Sequence, residues 1–327
     1  MGNFVEVKVS APEQRLQDAS WLRVLVVGLA AWFIAIGITS FTQDQVLIPA
    51  VFLIGSFVVP FALLMWVLDR TGWGRNLTAV TTALDPYLLV LAFAAGGALG
   101  VLSSALLESL LLMHLQILYY LDVAVVEECV KLALVWLLAR RLAFYCRRDG
   151  MLLGATVGLG FSGFESAGYS FNAFISHRTV DVLAIAETQI SRGLLTPIGH
   201  ALWTGLLAGA LFASAKDGRL RLTKNVGLWL AIVIGLHALW DMALGVAAIL
   251  AARTVGLSAS AVEFETGQLT NPELSERVAF FAYQSVLLCL VGGFAVTLGL
   301  RMWRRANEEI VHVAAAGDIG EGPKRQG

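Results

Sequence analysis

The chain has 327 residues, 57% of them hydrophobic and 14% charged, with a net charge of −1. Soluble globular proteins carry about 25% charged residues, so this composition excludes a soluble multidomain protein and requires one membrane domain. The even charge balance and the lack of a basic, aromatic-interleaved patch exclude nucleic-acid binding as a reading. Three scattered cysteines (Cys129, Cys146, Cys289) without a C-x-x-C pair speak against a disulfide framework or a cysteine-only zinc site.

In chain order, residues 1–20 are polar and mixed in charge, and read as a flexible cytoplasmic N-terminus rather than a cleavable signal. A membrane crossing needs roughly 20 mostly apolar residues. Eight stretches qualify: 21–41, 46–68, 87–107, 116–139, 151–173, 195–215, 226–250 and 280–302. Residues 108–121 are apolar as well and fit an interfacial helix, a re-entrant piece or an extension of the fourth span. The predicted fold is all-α: a polytopic transmembrane helical bundle of about eight spans over 21–305, with a flexible cytoplasmic tail over 306–327.

The loops predict orientation. Arg140, Arg141, Arg147 and Arg148 follow span four; Lys216, Arg219, Arg221 and Lys224 follow span six; Arg301, Arg304 and Arg305 follow span eight. Loops on the other side are neutral or acidic, with Glu263, Glu265, Glu273 and Glu276 before the last span. The positive-inside rule then puts both termini in the cytoplasm.

Against this apolar background stand Glu127, Glu128 and Lys131 in span four, Glu165 in span five, His200 in span six, and His237 and Asp241 in span seven. An ionised group at the bilayer centre costs roughly 2.5–3.5 kcal/mol on the insertion scale. Such residues must pair, protonate, bind a metal or line a wet cavity. At about 1.5 Å rise per residue, they fall roughly 17–23 Å from the cytoplasmic end of their spans, in one slab. Glu127 and Lys131 share a helix face, as do His237 and Asp241, each pair being four residues apart. Pro197 suits a first helical turn with Thr196 as its cap.

A carboxylate in low dielectric can act as a general base near neutrality. Two histidines and a glutamate from three helices (Glu165, His200, His237) are also the donor set of an open zinc site, with Glu127 as base and Asp241 orienting His237. A proton-coupled transporter or channel needs the same intramembrane Glu, His and Asp, and is the alternative reading. Inverted repeats would favour it; none is visible. For Glu127 and Glu128 the plainer role is a structural ion pair with Lys131. Arg192 reads as interfacial, Tyr169 and the tryptophans as packing or belt residues, and His114 and Asp122 as structural.

Four short patterns in order resemble the PrsW family of intramembrane proteases, distant relatives of CAAX-type prenyl proteases. They are Glu127-Glu128-x-x-Lys131; Phe161-x-x-x-Glu165; Arg192 followed by Pro197 and His200; and His237-x-x-x-Asp241. The similarity covers about 85–250, the expected catalytic core. It implies hydrolysis of a peptide bond in a membrane-protein substrate, such as a single-pass anti-sigma factor, near the outer side of a bacterial cytoplasmic membrane. It implies that Glu127 activates water, helped by Glu128, and that Glu165, His200, His237 and Asp241 bind a metal or stabilise the transition state. Zn²⁺ and a metal-free glutamate mechanism both remain open at this point.

Overall fold

A computed structural model describes residues 20–70, 82–111, 119–176, 186, 189–256, 262–263, 268–269 and 273–319. Among these residues eight helices make up nearly all regular structure. They are α1 (Ser20–Thr42), α2 (Ile48–Arg70), α3 (Pro86–Leu111), α4 (Tyr119–Ala139), α5 (Arg147–Ser176), α6 (Thr196–Ala213), α7 (Lys224–Val255) and α8 (Leu274–Ile319). The departure from an all-α chain is a two-residue antiparallel ladder, β1 (Val262–Glu263) against β2 (Gln268–Leu269).

Five segments are long and apolar enough to cross a membrane: Ser20–Thr42, Gln45–Asp69, Pro86–Leu111, Lys224–Val255 and Leu274–Glu309. The other three helices, α4, α5 and α6, fall outside these five and hold Glu127, Glu128, Lys131, Glu165 and His200.

Helix boundaries follow local chemistry. Asp85 caps α3 by accepting the Leu88 N–H at 2.8 Å, with Pro86 just inside the helix. A π-helical turn at Gly96–Gly100 interrupts α3. Thr223 caps α7, and Gly256 ends it in the left-handed region at φ 80°. Asp149, fully buried in the first turn of α5, accepts from Ala83 N–H at 2.7 Å and Thr82 Oγ1 at 2.9 Å, tying that end to the entry of α3. Burial pushes its carboxyl above the usual aspartate range, against the pull of those two donors and Arg148.

α5 is the central rod, packed on α2, α3, α4, α6 and α8. It passes α6 backbone to backbone: a Cβ on Gly158 would strike the carbonyl of His200. On another side, a Cβ on Gly160 would strike the carbonyl of Phe93 in α3. These two glycines set α5 close enough for a site to form among its neighbours. Around them Leu153, Val157, Leu206, Leu207 and Leu211 are fully buried. α7 closes the assembly, resting on α4, α6 and α8.

One expectation changes, and the stretch after 305 carries regular structure. Thr196 does not cap α6, because a π-helical turn at Gln189–Leu195 runs directly into it and Leu195 holds the cap position without a side-chain bond. The preceding turn continues the backbone helically, which leaves no free N-terminus to cap. The segment expected as a flexible tail from 306 is helical to Ile319, since Arg304–Ala316 carries neither Gly nor Pro to end α8. Glu309 there pairs with Arg147 at 2.9 Å. Residues 1–19 and 320–327, His114 and His177, most of the loop over 69–86 and the middle of 108–121 lie outside the described residues.

Candidate active site

α4 contributes three buried polar residues, the adjacent Glu127 and Glu128 and, one turn on, Lys131. Lys131 has no solvent exposure, and its ammonium donates to Glu127 Oε2 at 2.8 Å and Glu128 Oε1 at 3.0 Å. Its third proton points to His200 Nδ1, 2.8 Å away on α6. An ammonium has three donors and no acceptor, so all its capacity is spent here. That contact makes Nδ1 of His200 the acceptor and leaves the ring proton on Nε2. His200 Nε2 in turn lies 3.2 Å from Glu165 Oε2 on α5, within ion-pair range though not aligned as a hydrogen bond.

α7 brings the second imidazole. His237 Nδ1 lies 3.0 Å from Glu128 Oε1, which fixes that nitrogen as the donor. Its Nε2 faces Glu127 Oε2 at 3.7 Å and Asp241 Oδ2, one helical turn on, at 3.4 Å. The neighbouring glutamates therefore divide their work although they point apart on the helix. Both of them reach Lys131 and His237, with no need to share a proton directly.

The cluster is graded in depth. The side chain of Glu128 has no exposure and that of Glu127 7%, while Asp241 and Arg192 reach 21% and 24%. The mouth is thus on the side of Asp241, Arg192 and Glu165. There Arg192 donates to Glu165 Oε1 at 2.7 Å, and its guanidinium lies 3.5 Å from the centroid of the Tyr169 ring. All seven residues singled out in the sequence (Glu127, Glu128, Lys131, Glu165, His200, His237, Asp241) stand in this one network.

Four other members were not assigned to the site from the sequence, although Phe161 and Arg192 stand in the family patterns. Arg192, read as interfacial, is part of the mouth. Trp203 is buried and stacks on His237 with centroids 4.7 Å apart and planes at 20°, while meeting His200 edge-on at 5.1 Å. Phe161 lies under the Lys131 ammonium at 3.8 Å. Their spacing was the available signal: Trp203 is three residues after His200, and Phe161 four before Glu165, so each shares a face with a site residue. Glu108 on α3 stands within electrostatic reach of Glu165, Lys131, His237 and Asp241, and one of its carboxylate oxygens is buried without a hydrogen-bond partner. An acid inside an apolar stretch was its only mark.

Glu127, Glu128, His200 and His237 form a group of potential metal ligands whose donor atoms lie within 4.8 Å of one another. Ligand atoms opposed across an ion with bonds of about 2.2 Å are at most about 4.4 Å apart. The donor types suit zinc, and a buried oxygen of Glu128, Oε2, has no hydrogen-bond partner. The group could hold a metal. It contains His200 and His237 of the expected trio; Glu165 stands outside it, engaged by Arg192 and His200.

A family model described as PrsW family intramembrane metalloprotease matches residues 85–264, just over half of the chain. The chain belongs to the PrsW family. No curated protein and no solved structure matches it. The PrsW match runs from the cap of α3 to the end of α7 and beyond, and so takes in every helix that contributes to the polar network. Family membership makes this chain a membrane-embedded peptidase, which supplies a reason for burying so many ionisable groups among apolar helices.

Proposed function

We propose that the chain cuts a peptide bond of a membrane-protein substrate inside the bilayer, with Glu127 as the base that activates water. The observation that carries this reading is the asymmetry of the paired glutamates: Glu128 is sealed between Lys131 and His237, while Glu127 keeps partial access beside the mouth. The water oxygen bonds to the scissile carbonyl carbon as its proton passes to Glu127. The C–N bond then breaks and the same proton goes to the leaving amine. His237, as an imidazolium with a proton on each nitrogen, gives Nδ1–H to Glu128 and directs Nε2–H into the space between Glu127 and Asp241, where it donates to the developing oxyanion. Glu128 and Lys131 hold Glu127 and the imidazoles in place, and Asp241 orients His237. A zinc ion held by His200 and His237 with Glu165 or the α4 glutamates would supply Lewis-acid polarisation of the carbonyl, but only once the Lys131 ammonium had left its place among Glu127, Glu128 and His200.

All eight helices cross the membrane on this reading, with both termini cytoplasmic. The basic loops after α4, α6 and within α8 support that sense. α4, α5 and α6 cross although they are less apolar, because helices enclosed by others need not match lipid. The mouth then opens toward the outer leaflet. A single-pass protein such as an anti-sigma factor, in a bacterial cytoplasmic membrane, suits such a site as substrate.

Purified protein in lipid vesicles with a single-pass reporter tests this. Glu127→Gln should lower the cleavage rate by about 10²–10⁴, the usual contribution of a general base, with unchanged helicity. Full cleavage by that variant, or proton flux without cleavage by the unmodified protein, would sink it.

A further inference from the structure

The Lys131 ammonium occupies the ground a metal would need. Three of the four potential ligands, Glu127, Glu128 and His200, each already give it an atom at 2.8–3.0 Å. An ion bonded to those residues would lie within a few ångström of a second positive charge in a buried, weakly screened site. The ammonium cannot easily withdraw. It is fully buried, rests on the Phe161 ring, and would leave two carboxylates uncompensated. Charge leads to the same result: Glu127 and Glu128 carry two negative charges and Lys131 offsets one of them. Without Lys131 the same cage presents two carboxylates and two imidazoles to a divalent cation.

We propose that Lys131 is the resident cation of the Glu127–Glu128–His200–His237 cage, and that its ammonium and a divalent metal ion exclude one another there. Lys131 thereby sets which cation the site holds. The inference rests on the site described above, and its readout does not depend on proteolysis.

The experiment measures metal content by elemental analysis, and Co²⁺ binding by visible absorption, on the purified full chain in detergent. The unmodified protein should carry far less than one metal per chain and show no ligand-field bands at stoichiometric Co²⁺. Lys131→Met should gain a tetrahedral Co²⁺ spectrum and bind Zn²⁺ at least about tenfold tighter, within the range by which groups surrounding a metal site tune affinity. Lys131→Arg keeps the charge and should behave like the unmodified protein. One tightly held metal per chain in the unmodified protein overturns the proposal, as does Lys131→Met that folds and gains no affinity. If Lys131→Met fails to fold, the unmodified protein and Lys131→Arg still decide. Stoichiometric metal in either one counts against exclusion, and its absence from both supports it. Cleavage is assayed separately, so a failure of exclusion and a failure of proteolysis are told apart.

Discussion

The helices that look most like membrane spans hold the least of the chemistry. α1 and α8 are strongly apolar, yet only 11% and 17% of their most hydropathic windows are buried within the protein. Side chains such as Val27, Phe33 and Leu290 stand exposed at the protein surface, where lipid would meet them. α4, α5 and α6 fall short as spans on composition, and they carry Glu127, Glu128, Lys131, Glu165 and His200. Hydropathy reports what faces lipid. Helices screened by other helices can hold charge, provided each charge finds a partner; here Lys131 meets Glu127 and Glu128 on its own helix, while His200 and His237 reach across to it and to Glu128 from other helices. α7 is the intermediate, apolar enough to span and still carrying His237 and Asp241.

The largest effect that would test this contrast lies at the crossing of α5 and α6. Gly158→Val would drive a branched side chain into the carbonyl of His200, with no flexible atom there to yield. Overpacking usually costs about 1–3 kcal/mol; a backbone collision at this crossing should cost at least the upper end. The expected result is loss of folded protein in detergent, seen as a collapsed melting temperature and no cleavage. A stable, active Gly158→Val would show that α5 and α6 need not touch for the site to form.

How much of this was legible beforehand follows from the same physics. Glu127, Glu128, Glu165, His237 and Asp241 announce themselves because an ionisable group in an apolar run is costly and so must have a use. Their partners do not. That Lys131 would reach His200 across 69 residues, or that Glu128 rather than Asp241 would take the Nδ1 proton of His237, depends on helix rotation and approach. Trp203 is invisible because an aromatic in a membrane helix is packing by default; Phe161 is marked only by the pattern that ends at Glu165. The Thr196 cap was misjudged because the π-helical turn before it leaves no periodic trace that a window can detect. The helical character of the chain was readable from hydropathy; the depth and pairing of the polar groups needed the tertiary arrangement.

Arg192 offers a middle-sized effect. Its guanidinium bonds Glu165 and lies over Tyr169 at once. Lysine keeps the charge but loses the planar fork and the stack. Arg192→Lys should leave folding intact and slow cleavage by about tenfold, a barrier increase of about 1.4 kcal/mol. The effect should appear in kcat more than in KM, because Glu165 orients His200 rather than binding the substrate. An unchanged kcat would return Arg192 to the interfacial role that its sequence context suggests.

The smallest effect separates the two faces of α1. Trp32 is 2% exposed, and its Nε1 donates to Gln189 Oε1 at 2.6 Å; Gln189 Nε2 then donates to the Val51 carbonyl at 3.1 Å. These bonds tether α1 and α2 to the π-helical turn that precedes His200. Trp32→Phe retains an aromatic ring but leaves a buried amide oxygen without its donor, a cost of about 1–3 kcal/mol. Val27→Ala, on the exposed face of the same helix, should stay within about 0.5 kcal/mol. Thermal unfolding in detergent compares the two, with cleavage below the unfolding range retained in both. Were Val27→Ala to cost as much as Trp32→Phe, the outward face of α1 would be packed against protein rather than lipid. The division between lipid-facing and chemistry-bearing helices would then fail at its simplest member.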